Sequence, residues 1–224
     1  MGRSVKRCNL FAFTPDENSL CEGAVGGVEN MSSIGEWNWA IAVSSARYNA
    51  VVVENIFSKW LDGQPENPPV HEIIFCATNL AFATELYLKA ACIACSGNVP
   101  PGGHRLLKVF KNIPKVDREK IVSRYDDMFT SKYAHLRNGE IWIRLDDGEL
   151  PADKRPTSLV EVLDHYSTSY EDWRYLFAIH KNANPSNLRG LHYSRLMCLC
   201  EAIDQHLQNR FPDIVRKNEI TILQ

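Results

Sequence analysis

The sequence predicts an all-α protein, a bundle of four to five main helices with an irregular N-terminal arm and a long loop before the last two helices. Two observations carry that expectation. Apolar residues recur at helical spacing through several long stretches, and Gly, Pro and Asn separate those stretches. The length of 224 residues suits one large domain. The expected division is an arm over 1–33, a helical domain over 34–211 and a tail over 212–224.

The arm lacks sustained periodicity and carries turn formers at Thr14-Pro15-Asp16-Glu17-Asn18 and Gly23-Ala24-Val25-Gly26-Gly27. From Ile34 to Leu61, the residues Trp37, Ile41, Ala42, Tyr48, Val52, Ile56, Trp60 and Leu61 recur at helical spacing and predict a long first helix. Val70 to Cys95 is apolar nearly all round, the mark of a helix central to a bundle, and it stops at Ser96-Gly97-Asn98. His104 to Phe110 forms a short amphipathic segment with Leu106, Leu107 and Phe110 on one side, ended by Pro114.

Asp117 to Tyr133 predicts another helix. Leu136 to Pro156 carries Asn138-Gly139, Asp147-Gly148, Pro151 and Pro156, and is expected to be a long loop, a candidate lid, or a weak hairpin around Glu140 to Arg144. Thr157 or Ser158 then caps a helix expected to reach about Lys181, with Val160, Leu163, Tyr170, Trp173, Leu176 and Phe177 on its apolar side. A break at Asn182 to Ser186 precedes the last helix, expected over Leu188 to Phe211.

The net charge of -2 gives no whole-chain reason to bind nucleic acid or an anionic membrane, so an RNA role requires a local patch. Arg137, Arg144, Lys154 and Arg155 around Trp142 offer one, but interleaved acids point to a solvated loop. No run of 18 apolar residues is present and the first residues lack a secretory signal's apolar block, so a cytoplasmic protein with no membrane role is expected. The seven cysteines read as reduced thiols. Cys92, Cys95, Cys198 and Cys200 have spacings that can offer four thiolates to zinc, yet their apolar surroundings favour small buried hydrophobes. No metal or cofactor is expected.

The run Phe82-Ala83-Thr84-Glu85-Leu86-Tyr87-Leu88-Lys89-Ala90, followed after a Gly/Pro turn by Gly103-His104-Arg105-Leu106-Leu107-Lys108-Val109-Phe110, resembles a recurrent pattern of the HEPN family (higher eukaryotes and prokaryotes nucleotide-binding). Glu171-Asp172-Trp173-Arg174-Tyr175-Leu176-Phe177 is similar to a Trp-Arg-Tyr signature late in some members. Together the matches bracket about 34–210.

The resemblance implies a homodimer that acts on RNA or a nucleotide. Members that cleave RNA carry an Arg, four to six residues and a His, a spacing met here by Arg174 and His180. In that reading His180 takes the proton from a ribose 2′-hydroxyl and Arg174 holds the phosphate, with no metal. Tyr175, His104, Arg189 and His192 are the expected substrate contacts. The implied function is a metal-independent endoribonuclease, as a toxin or defence effector with an antitoxin or regulatory partner. The alternative is a non-catalytic HEPN module that binds nucleotide, RNA or a protein and works through a dimer.

Overall fold

A computed structural model describes residues 29–61, 68–98, 100, 104–134, 140–142, 156, 158–167 and 190–213. These are 83% helical, an all-α fold. The helices are α1 (Glu29–Leu61), α2 (Val70–Ser96), α3 (Leu106–Lys111), α4 (Lys115–Thr130), α5 (Leu159–His165) and α6 (Tyr193–Arg210). The strands β1 (Glu140–Trp142) and β2 (Gly190–His192) form a two-stranded antiparallel ribbon.

Side-chain contacts fix the helix directions. Trp60 near the end of α1 donates its indole N–H to Glu72 near the start of α2 at 3.2 Å, so the two helices run antiparallel. Phe57 stacks on Tyr193 with centroids 3.6 Å apart, Arg47 bonds Asp204 at 2.9 Å and Trp39 meets Phe211 at 5.4 Å. As α1 descends in number α6 ascends, so these two are antiparallel as well. The thiol of Cys198 contacts the Tyr125 carbonyl at 3.4 Å, while Asp117 meets His206 at 3.0 Å, which sets α4 against α6 in the same way. The result is an up-down-up-down bundle of α1, α2, α4 and α6.

The core runs through all four long helices. In α1 it takes Trp39, Val43, Ala46, Ala50, Val53 and Phe57, a clean i, i+3/i+4 stripe. This corrects the face expected from sequence: Ile41 and Tyr48 point outward. Ala46 and Ala50 at the middle of the buried stripe let α2 approach closely, whereas Ile41, Tyr48 and Val51 form a second, exposed apolar face. The helix also begins at Glu29, inside the stretch expected to form the arm.

α2 is apolar all round because it packs against α1, α3 and α6. It is long and apolar enough to cross a membrane, but most of that surface is buried within the bundle. It ends at Gly97, whose φ of 71° is left-handed and whose N–H reaches the Ile93 carbonyl at 2.8 Å.

Four further boundaries differ from expectation. α4 starts at Lys115, directly after Pro114. α5 is capped by Ser158 through a box in which Ser158 accepts the Glu161 N–H and Glu161 accepts that of Ser158, but the helix ends at His165, not Lys181. Val160 on it is exposed rather than apolar-facing. Glu140 to Trp142 pairs with Gly190 to His192, in the register Glu140 with His192 and Trp142 with Gly190, so the expected local hairpin is replaced by a distant partner. That pairing also removes Gly190 to His192 from the last helix, which starts at Tyr193.

Candidate functional site

α2 carries Glu85 on a buried turn, among Ala81, Thr84 and Leu88, where an isolated carboxylate is costly. Two cations or potential cations meet it. Lys89, one turn on, makes an ion pair with Oε1. His104, from the turn before α3, places Nδ1 at 2.8 Å from Oε2 and 3.0 Å from Oε1. Glu85 is 5% exposed at its side chain while His104 is 38% exposed, so the carboxylate anchors from inside a ring that reaches the surface. A histidine held by a buried carboxylate is fixed in orientation, which suits it to exchange protons or to contact an anion.

His192 sits differently. It is almost wholly buried at the junction of β2 and α6. The Tyr166 phenol oxygen accepts its backbone N–H at 2.6 Å and shares a hydrogen bond of 2.6 Å with its Nδ1. His165 lies edge-on to both rings, with centroids 4.9 Å from Tyr166 and 5.2 Å from His192. In this arrangement His192 has no open face for a substrate phosphate and acts as an interior anchor. No local pattern signals this role, because its partner lies 26 residues away.

Arg174, Tyr175, His180 and Arg189 lie outside the described residues, as do Arg137, Arg144, Lys154 and Arg155 of the stretch expected to be a long loop. What the structure brings together is the pair of flanks: Tyr166 just before that segment and His192 just after it.

A third polar cluster closes one end of the bundle. Asp117 in the first turn of α4 meets His206 Nε2 at 3.0 Å and the Arg210 guanidinium. Burial pushes the His206 ring below its ordinary pKa despite the opposing pull of Asp117. The Cys95 thiol, 4.0 Å from the same Nε2, is pushed up to about 11, chiefly by burial. The four-cysteine arrangement does not form: Cys198 contacts the Tyr125 carbonyl, Cys200 contacts Thr84 at 3.4 Å, and Cys92 bonds near Ser96 and Asn98. These thiols behave as small buried hydrophobes.

An open depression of about 650 Å³ lies between α3, α4 and α5. Its Lys115 and Arg118 stand beside Glu119, Asp126 and Asp127, a mixed surface with no net basic field. No family model, curated protein or solved structure matches the chain. The fold and its polar contacts define a helical-bundle protein with a carboxylate-anchored histidine at its surface.

Proposed function

We propose that the chain is a HEPN-type protein acting as a metal-independent endoribonuclease, in the manner of a toxin or defence effector held in check by a partner protein. The observation that carries this reading is the Glu85–His104 contact. It joins the two separate halves of the pattern on which the resemblance rests, Phe82 to Ala90 and Gly103 to Phe110, side chain to side chain.

In the proposed reaction His180 removes the ribose 2′-hydroxyl proton, and the 2′ oxygen attacks the adjacent phosphorus. The bond to the 5′ oxygen breaks, that oxygen takes a proton from water, and a 2′,3′-cyclic phosphate remains. Arg174 holds the phosphate oxygens as charge builds. His104, steadied by Glu85, supplies a surface contact to the RNA.

The test is incubation of labelled RNA with the purified protein in EDTA. Cleavage to cyclic-phosphate ends is expected, and its absence across varied RNAs would move the reading to a non-catalytic module that works through dimerisation.

One further feature bears on both readings. Ile41, Tyr48 and Val51 of α1 are 47%, 65% and 51% exposed and stand together at i, i+7 and i+10. A two-fold dimer would cover this face in either reading. Light scattering should give twice the chain mass, falling to the monomer in Tyr48→Asp; a monomer in the parent would count against both.

A further inference from the structure

Three helix ends meet at one pole of the bundle, and each brings a different metal-binding atom. Cys95 stands in the last turn of α2, Asp117 in the first turn of α4 and His206 in the last two turns of α6. Their ligand atoms, one thiol sulfur, one carboxylate oxygen and one ring nitrogen, all lie within 4.8 Å of one another.

A single atom, His206 Nε2, faces both the Asp117 carboxylate at 3.0 Å and the Cys95 thiol at 4.0 Å. The space between the three is therefore a common focus rather than two unrelated contacts. Tetrahedral zinc has bonds of about 2.0–2.3 Å to N, O and S, which places its ligand atoms about 3.3–3.6 Å apart. The observed separations straddle that span, and shifts of under about 1 Å would bring the atoms into it.

We infer that Cys95, Asp117 and His206 bind a zinc-type divalent cation that clamps α2, α4 and α6 together. Thiolate, imidazole and carboxylate are the donor types that zinc takes, and the two anionic groups balance the charge of the ion. Arg210 bonds Oδ1, the same Asp117 oxygen that meets His206, so cation entry swings this 39% exposed guanidinium off that oxygen toward solvent. Three protein donors leave the fourth position to water.

The cation is assigned a structural role, apart from the Glu85–His104 contact. Cys95 lies ten residues beyond Glu85 on α2, about 15 Å along its axis. Failure of the cleavage test and failure of this inference are thus separate results.

The test uses full-length protein, stripped of metal and titrated with cobalt(II), which reports tetrahedral thiolate ligation in its absorption. About one equivalent should give a thiolate-to-cobalt band, and zinc should displace it. Cys95→Ser should lose the band while keeping its helicity, and Cys92→Ser should keep it. In the parent protein, which needs no substitution to fold, zinc should protect Cys95 from alkylation, mapped by peptide mass. No band in the parent, a band that survives Cys95→Ser, or equal alkylation with and without zinc would each overturn the site.

Discussion

The Tyr166 phenol oxygen meets His192 twice, at its backbone N–H and at its ring Nδ1, each at 2.6 Å. That double contact ties the end of α5 to the start of α6, and so fixes both flanks of the segment that carries Arg174 and His180. Tyr166→Phe keeps the ring and its packing but removes the oxygen, leaving two buried groups without this partner. A loss of about 1–3 kcal/mol is expected, read as a lower denaturant midpoint at unchanged slope. If the segment between them is the catalytic one, RNA cleavage in Tyr166→Phe falls even under conditions where the protein is fully folded. An unchanged midpoint would show that the contact does not anchor the flanks.

The Glu85 site predicts an asymmetry between its partners. Glu85→Gln leaves Lys89 and His104, both partly exposed, free to turn toward water, so its cost is small. Removing both partners, in Lys89→Ala with His104→Ala, strands a buried carboxylate and should cost about 3–5 kcal/mol. The double variant should also lose more than the two single variants added together, since either partner alone still compensates the charge. Thermal or denaturant unfolding of the four proteins checks this. Simple additivity would mean that Lys89 and His104 act independently.

Parts of this architecture are written locally and parts are not. The end of α2 was legible because Gly97 follows directly on an apolar run, and the start of α5 because Ser158 and Glu161 stand three apart. Helical content and the all-α class followed from such signals. The face of α1 was misjudged because it has two apolar stripes, and only the partner helix decides which is buried. A weak hairpin was legible around Glu140 to Arg144, but the true partner of β1 was not, since Ile141 finds Leu191 fifty residues on. The polar clusters were hidden for the same reason. Glu85 with Lys89 is an i, i+4 pair that a sequence displays, whereas Cys95, Asp117 and His206 belong to three different helices.

The described cysteines are all free thiols, and their surroundings predict how they react. Burial pushes Cys76 and Cys200 up to about 12 and raises Cys198 further. At pH 8 in the native protein these three should stay thiols and resist iodoacetamide, then react at once in denaturant. Partly exposed Cys95 should label first among the five in metal-free protein. Peptide mapping after timed labelling distinguishes them. Rapid native labelling of Cys200 would mean that the contact between α2 and α6 opens easily.

The remaining prediction concerns Arg174 and His180 and separates an enzyme from a binding module. If they form one site, Arg174→Ala and His180→Ala should each abolish RNA cleavage while leaving helicity and solution mass unchanged. The double variant should lose little more than either single one, because groups that act as a unit are grossly non-additive. Loss of the base alone is worth about 10²–10⁴-fold in rate. Arg174→Lys keeps the charge but not the planar fork that grips two phosphate oxygens, so its rescue should be partial. His104→Ala offers the contrast. Loss of a surface contact weakens RNA binding and raises KM, but leaves kcat close to the parent value. Were His180→Ala to cleave at the parent rate while His104→Ala lost kcat, the carboxylate-anchored histidine beside Glu85 would be the base, and the reaction would centre on α2.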